Sequence, residues 1–287
     1  MSGPTPPVVP SVPSSFYTGS YYQNESDQKW NAELATLDTL PNAWAQLLYI
    51  IGVMMPTKEQ NLEGKMEYQD YLMNQVSDSL LPLLDVVKDQ FNLIMNTDPA
   101  DDSYPGINEN YGDYAVQAAD EILQLIYTNP NLSGNAQLVD NLTSVISSLF
   151  TGTWTASNGN KFEVYLQNVT NVAVNINGTV ETVTVPQIEA KEQVNGSSSW
   201  KPVDPGAVIT NVWSGLNVDT NSYLGDLQIY QGDLTEGTTD MTDFSKTATS
   251  VFQFFEGELK QLLSILKDIL QDISKGEQQA ISNENIS

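Results

Sequence analysis

The sequence contains no cysteine, no histidine and no arginine, and these absences exclude much of enzyme chemistry. Without a thiol or an imidazole there is no disulfide, no cysteine nucleophile, no Ser-His-Asp triad and no thiolate or histidine metal site. Two oxygen-based sites remain open, a pair of catalytic carboxylates and a calcium site. The sequence also has no phosphate-binding glycine loop and no nucleophile elbow. We therefore predict that the protein is not an enzyme and has no catalytic residue, no cofactor and no bound metal.

Positive charge is scarce as well. The 11 basic residues are all lysines, they face 36 acidic residues, and the formal net charge is -25. Phosphate groups are bound by clustered basic side chains, so nucleic acid is not an expected partner. An anionic membrane surface would repel the chain.

Long apolar runs are also missing. The longest covers residues 43–55 and is interrupted by Gln46 and Gly52, whereas a helix that spans a bilayer needs about 20 apolar residues. No basic segment followed by an apolar one occurs at the N-terminus, so we expect no standard secretory signal peptide and no membrane-spanning segment.

The first part of the chain is predicted to be a tail followed by helices. Residues 1–25 are rich in proline and serine and have little to bury, which predicts a disordered tail. A helical bundle or coiled coil is predicted over 26–150 together with 240–276. Pro41 is expected to restart a very apolar helix, which Pro56 is expected to end.

A seven-residue repeat of apolar side chains predicts a long coiled-coil-like helix over residues 58–96. Pro82 lies inside this helix and is expected to kink or split it. Two shorter helices are predicted over 113–128 and 135–150. The repeat consists of Met66, Met73, Leu80, Val87 and Ile94.

The acidic loop 98–113 could hold calcium, but its acids do not follow the spacing of an EF-hand loop. A solvated loop is the expected structure, and the calcium site is kept as an alternative.

The period of the apolar pattern then changes from helical to alternating. Residues 151–239 are rich in Thr, Val, Asn and Gly, and short alternating runs flank Asn177-Gly178, which is a strong hairpin signal. This segment is predicted to be an antiparallel β subdomain inserted between helices. The fold class that follows is α+β, a helical bundle with long coiled-coil-like N- and C-terminal helices and an inserted antiparallel β subdomain.

The C-terminal helix has the clearest periodicity in the chain, with apolar residues alternately three and four apart. Gly276 is expected to end the helix, and residues 277–287 to form a polar tail. This helix and the apolar N-terminal one are predicted to form the oligomer interface, within or between subunits, with the residues Trp44, Leu47, Leu48, Ile51, Phe255, Leu259, Leu262, Leu266, Ile269 and Ile273.

This layout resembles the hydrophilic translocators and the needle-tip or filament proteins of type III secretion, in particular EspA-like filament subunits. The resemblance lies in the small-residue N-terminus 1–25, the apolar helix 43–55 with the long helix after it, and the heptad helix 244–275. It covers roughly residues 1–96 and 240–287, and no single functional residue is carried over. The β insertion and the polar ending depart from the simpler filament subunits.

The resemblance implies an exported structural protein, secreted or at the cell surface, that self-associates into a homo-oligomer or polymer. A secretion chaperone and other subunits of the secretion apparatus are the implied partners. Two alternatives stay open. One is a monomeric ligand- or carbohydrate-binding protein with its site in the β segment. The other is a virion or surface-layer structural protein, for which the Asn-x-Ser/Thr glycosylation sequons of the chain would matter.

Overall fold

The computed structural model describes residues 19–95, 110–156, 158–176, 179–213 and 220–284. The predicted fold class is confirmed, because the chain is an α+β protein with helices at both ends and a small antiparallel sheet between them. Residues 1–18 of the predicted tail 1–25 lie outside the described residues. A helix begins at Gly19, inside the segment predicted to be the tail. Most of the loop 98–113 also lies outside them.

The order of the elements follows the chain, with most helices before the sheet and two after it. The helices are α1 Gly19–Asp38, α2 Ala43–Tyr49, α3 Met55–Gln75, α4 Leu81–Met95, α5 Asn110–Thr128, α6 Pro130–Ser133, α7 Ala136–Phe150, α8 Pro205–Trp213 and α9 Thr220–Glu284. The strands are β1 Gly152–Thr155, β2 Lys161–Ile176, β3 Thr179–Gln193 and β4 Trp200–Val203.

The chain divides into two compact units. Unit 1 is built on Asn74–Ser245, and unit 2 on Thr18–Met73 and Lys246–Ser287. The sheet therefore shares unit 1 with α4 to α8. The chain passes from one unit to the other inside α3, after Met73, and inside α9, after Ser245. These positions differ from the boundaries predicted from the sequence, 150/151 and 239/240.

The predicted end of a helix at Pro56 is wrong, and so is a split at Pro82, because the chain stays helical through both prolines. Each proline follows a π-helical segment, Ile50–Met54 or Val76–Leu80. The residue just before each proline donates its N–H to the carbonyl five residues back, Met55 to Ile50 and Leu81 to Val76. The wider π turn makes room for a ring that would otherwise meet the carbonyl four residues back.

The sheet is a meander with the order β1-β2-β3-β4, all antiparallel. Ile176 pairs with Thr179 across the predicted hairpin turn, whose own two residues lie outside the described ones. The β-rich segment was predicted too long, since the strands end at Val203 and helices follow. Threonines of α9 account for part of the error, because threonine favours strands, whereas here the hydroxyls donate to carbonyls four residues back within a helix; they are Thr235, Thr238 and Thr239.

The predicted end of the C-terminal helix at Gly276 is also wrong, since α9 continues to Glu284. A glycine inside a helix costs only about 1 kcal/mol, and the residues after it, Glu277-Gln278-Gln279-Ala280, are good helix formers.

Four aromatic rings from four helices form the centre of the core of unit 1. Trp213 of α8 is fully buried, and its ring centre lies 5.1 Å from that of Phe91 and 5.2 Å from that of Phe150. Tyr230 of α9 lies 6.1 Å from Phe91. These edge-on and tilted contacts join α4, α7, α8 and α9.

Helices α5 and α8 cross at two glycines with almost no space between their backbones. A Cβ on Gly112 would lie 1.9 Å from the carbonyl oxygen of Gly206 and 2.4 Å from Thr210 Oγ1. The Gly112 N–H donates to Thr210 Oγ1 at 3.0 Å. The crossing therefore requires glycine at position 112.

We predict that Gly112→Ala destabilises the protein by at least about 1–3 kcal/mol, because the added methyl group meets backbone that cannot move aside. Gly232→Ala is the matched control, since Gly232 lies inside α9 with nothing within 4 Å of a Cβ. There the better helix propensity should stabilise the protein by up to about 1 kcal/mol. Thermal melts of the two variants should shift in opposite directions. Equal shifts would contradict the close crossing.

One buried polar side chain of α4 lacks hydrogen bonds. Gln90 is 0% exposed and lies between the buried Val87 and Ile94 on its helix. Neither its amide nitrogen nor its amide oxygen has a hydrogen-bond partner among the described residues. An unsatisfied buried amide costs about 1–3 kcal/mol.

We therefore expect Gln90→Leu to raise the free energy of unfolding by about 1–3 kcal/mol, because an apolar side chain of similar size replaces an unpaired amide. Chemical denaturation measures the change. Gln231→Leu, at an exposed position of α9, is the control and should leave stability within about 0.5 kcal/mol. A loss of stability in Gln90→Leu would show that the amide makes a contact essential to the fold.

Candidate functional site

The predicted oligomer interface lies entirely in unit 2, and its residues are only partly covered. Trp44 and Leu48 of α2 are exposed, while Leu47 and Ile51 are half-buried. The predicted α9 residues are all half-buried: Phe255, Leu259, Leu262, Leu266, Ile269 and Ile273. None of the ten is fully buried, although a seam that is complete within one chain would bury most of them.

The half-buried residues of α9 are partly covered by another helix of unit 2, α3. The Lys65 ammonium of α3 lies 5.4 Å from the ring centre of Phe255, and the Thr249 hydroxyl donates to Met73 Sδ of α3 at 3.1 Å. Helix α3 therefore packs against the part of α9 that begins near Thr249.

More apolar side chains of α9 are exposed beside this seam. Leu263, Ile265 and Leu270 are 43%, 53% and 49% exposed, and Phe254 is exposed too. The sequence analysis did not place these residues in the interface. In heptad terms the half-buried residues occupy positions a and d, Leu263 and Leu270 occupy e, and Ile265 occupies g. Apolar residues at e and g are the signal that could have identified them, because those positions usually carry charge.

Helices α1 and α2 meet in the same unit. The Tyr49 hydroxyl donates to the Glu33 carboxylate, which links the two helices and raises the pKa of Tyr49. Asn42 caps α2 by accepting the Ala45 N–H at 2.9 Å. Trp44 and Leu48 lie one turn apart on α2 and are exposed, as is Val53 in the π-helical segment that follows.

A cleft of unit 1, about 490 Å³ in volume, is lined by carboxylates, glutamines and valines, with no lysine among the lining residues. It lies between α5, the sheet and the start of α8. The Asp120 carboxylate accepts the Ile188 N–H of β3 at 2.9 Å, and Gln117 donates to Glu121 at 3.3 Å. The other acids of the lining are Asp113 and Asp204.

Burial sets the electrostatics of this cleft. Desolvation raises the pKa of Asp120 to about 6, the Ile188 N–H lowers it in part, and the charge of Glu189 raises it further. Desolvation also raises the pKa of Glu121. Among the described residues no three Asp or Glu side chains are grouped so that they could hold a metal ion. The cleft thus presents acceptors and negative charge without the geometry of a cation site.

A smaller pocket of about 140 Å³ lies between the turn after β1 and α8. Trp154 and Phe162 are cross-strand neighbours in its wall, and the amides of Asn158 and Asn211 complete the polar part of its lining. Apolar walls with a few polar groups are typical of small-molecule sites. The alternative of a ligand-binding protein would use this pocket.

No helix in the described parts of the chain is both long and apolar enough to cross a bilayer.

We predict that Asp120→Asn raises the free energy of unfolding at pH 7.5 by up to about 3 kcal/mol, because folding raises the pKa of Asp120 from 3.8 to about 6 and one pKa unit corresponds to about 1.4 kcal/mol. The pKa of Asp120 is raised on folding, so the wild-type protein is most stable below the unfolded-state pKa and loses stability as the pH rises through about 6. The variant should lose this dependence, and its advantage should vanish near pH 4.

Denaturation curves between pH 4 and pH 8 provide the measurement. Asp140→Asn removes one exposed carboxylate of α7 and the same net charge, so it should change stability little at any pH. An Asp120→Asn variant that is less stable than the wild type at pH 7.5 would contradict the desolvation of this carboxylate.

No protein-family model, no curated protein and no solved structure shows a significant match to this chain. Its function is therefore inferred from the residues and contacts described above.

Proposed function

We propose that the protein is an exported structural subunit that self-associates through the helices of unit 2, as a tip or filament subunit of type III secretion would. The observation that carries the proposal is the apolar surface of α9, which is half-covered at positions a and d and exposed at e and g.

One helix partner cannot cover a surface of this width. A pair of helices buries the a and d positions, while apolar e and g positions require a second neighbour. Helix α3 is the neighbour within the chain. Covering a leucine fully is worth about 1.5–3 kcal/mol, so Leu263, Ile265 and Leu270 still offer about 1 kcal/mol each when a second copy covers them.

The exposed side chains of Trp44 and Leu48 support the same proposal. Both belong to the interface predicted from the sequence, and Trp is strongly enriched among the residues that dominate binding energy at interfaces. The proposed interface thus has two parts, the exposed side of α2 and the surface of α9.

The charge distribution also favours unit 2 as the associating unit. Unit 1 has 22 acidic residues and 4 lysines, a net charge of -18, whereas unit 2 has 14 acidic residues and 7 lysines, a net charge of -7. Like charges oppose close approach between copies, so association is less costly through unit 2.

The partners in this proposal are further copies of the chain, a secretion chaperone and other subunits of the apparatus, and the location is outside the cell or at its surface. The lack of cysteine suits export because an unfolded chain then has no thiols to mispair. No catalytic role is proposed. The binding-protein alternative differs in one measurable respect, since it requires a monomer.

We predict that Leu263→Asp with Leu270→Asp abolishes the helix association, so that the mass of the assembled protein falls while its helix content is unchanged. The two side chains are about half exposed in the single chain, so their loss costs the monomer little, whereas a charge covered by a second copy costs several kcal/mol. Sedimentation velocity and circular dichroism on the same sample measure both effects.

The control is Ser264→Asp with Gln271→Asp, which adds the same charge at the neighbouring, exposed f positions. It should assemble as the wild type does. A Leu263→Asp/Leu270→Asp protein that keeps the wild-type mass, or one that loses its helices, would overturn the proposal.

A further inference from the structure

The two central strands of the sheet are much longer than the outer ones. Strand β1 pairs with β2 only at Lys161–Val164, and β4 pairs with β3 only at residues 190–193. From Tyr165 to Ile176, β2 has no strand partner except β3 in the described part of the chain, and the same holds for β3 from Thr179 to Glu189. Over this length the sheet is a two-stranded ribbon with two edges.

The outer edge of β3 is blocked near the body of unit 1. Strand β4 covers its last residues. The next outward N–H belongs to Ile188 and is bonded to the Asp120 carboxylate of α5. Two residues earlier stands Pro186, which has no N–H to offer. A covering strand, a capping carboxylate and a proline are all ways of preventing edge-to-edge pairing.

None of these three features reaches the part of β3 before Pro186. Outward N–H groups alternate along a strand, so those of Thr182 and Val180 point to the same edge as that of Ile188. No backbone hydrogen bond of either residue extends beyond the β2–β3 ladder in the described chain. Val180 is 69% exposed. The outward backbone groups of Thr182 and Val180 are therefore unbonded within the described chain, and the Val180 side chain beside them is apolar.

Charge is also nearly absent here. Glu181 is the only charged residue in the sequence from Val164 to Ile188, in a chain whose net charge is -25. The stretch is rich in Val and Thr, which favour strands. A low-charge, β-branched, unpaired edge is the type of surface on which strands add.

We propose that the outer edge of β3 around Thr182 pairs with the same edge of a second copy, which continues the sheet across a two-fold axis. A cationic partner would favour the acidic surfaces, whereas a second copy of this acidic chain is repelled except where charge is absent. An antiparallel pair of identical edges is self-complementary, which a two-fold interface requires.

The pairing has one favoured register. With Thr182 on the axis, each Thr182 exchanges both backbone hydrogen bonds with its counterpart, and Glu181 stands opposite Val183 of the other copy. Shifting the axis to residue 181 would place two Glu181 carboxylates opposite each other, which is unfavourable. This contact is independent of the helix association in unit 2.

Single cysteines test the register, because the chain contains none of its own. Thr182→Cys places two Cα atoms about 5.5 Å apart across the axis, inside the disulfide range of about 4.4–6.8 Å. Val180→Cys is the matched control, since its two copies are offset by four residues, about 13 Å. Copper-phenanthroline oxidation should link Thr182→Cys into dimers and leave Val180→Cys monomeric on a non-reducing gel. No dimer from Thr182→Cys, or equal dimer from both, would overturn the proposal.

A backbone variant tests the hydrogen bonds themselves. In a chain that also carries Leu263→Asp and Leu270→Asp, so that helix association cannot hold copies together, Thr182→Pro should lower the sedimentation mass from dimer to monomer. Thr182→Ala keeps the N–H and should remain a dimer. Circular dichroism verifies that Thr182→Pro stays folded, as expected from the proline already present on this edge at 186. A folded Thr182→Pro dimer would contradict edge pairing and leave the proposed helix association unaffected.

Discussion

The rest of the structure depends on one constraint, namely that the apolar surface of α9 must be covered by neighbouring helices. In unit 1 the residues Tyr230, Leu234 and Met241 are buried, and a Cβ on Gly237 would lie 3.2–3.3 Å from Val145 and Leu84. From Phe255 onward, in unit 2, the same kind of surface is only half-covered. The helix thus has a complete set of neighbours in one unit and an incomplete set in the other, and the proposed assembly follows from that difference.

Charge then limits where copies of the protein can meet. A chain with a net charge of -25 repels itself over most of its surface. The two proposed contacts lie where this repulsion is least. The helices of unit 2 carry most of the lysines, and the exposed edge of β3 has Glu181 as its only charge over many residues. The acidic cleft around Asp120 is the opposite case, since its buried carboxylate lowers stability at neutral pH.

The helices and the hairpin could be predicted from the sequence because their signals are local. Apolar periodicity located α5, α7 and α9, and alternation around Asn177-Gly178 located β2 and β3. The errors arose where a residue's usual preference was offset by a specific bond. A π-helical segment before each of Pro56 and Pro82 accommodates the proline within the helix. The Thr235 hydroxyl donates to the carbonyl four residues back in α9, where the sequence had predicted strands.

Three-dimensional contacts were the part that the sequence could not provide. The crossing of Gly112 with Gly206 and the bond from Ile188 to Asp120 join residues far apart in the chain, and no local pattern marks them. For α9, the sequence predicted the apolar surface but not its width, because only the structure shows that Leu263 and Ile265 are exposed beside it.

The most direct measurement is sedimentation velocity of the unmodified full-length protein across a wide range of concentration, at low and at high salt. The account predicts a mass that rises with concentration, and rises further in high salt, because salt screens the repulsion between acidic copies while the apolar contacts persist. A single species with the mass of one chain, about 31.6 kDa, at every concentration and in both salts would contradict the account and favour a monomeric binding protein.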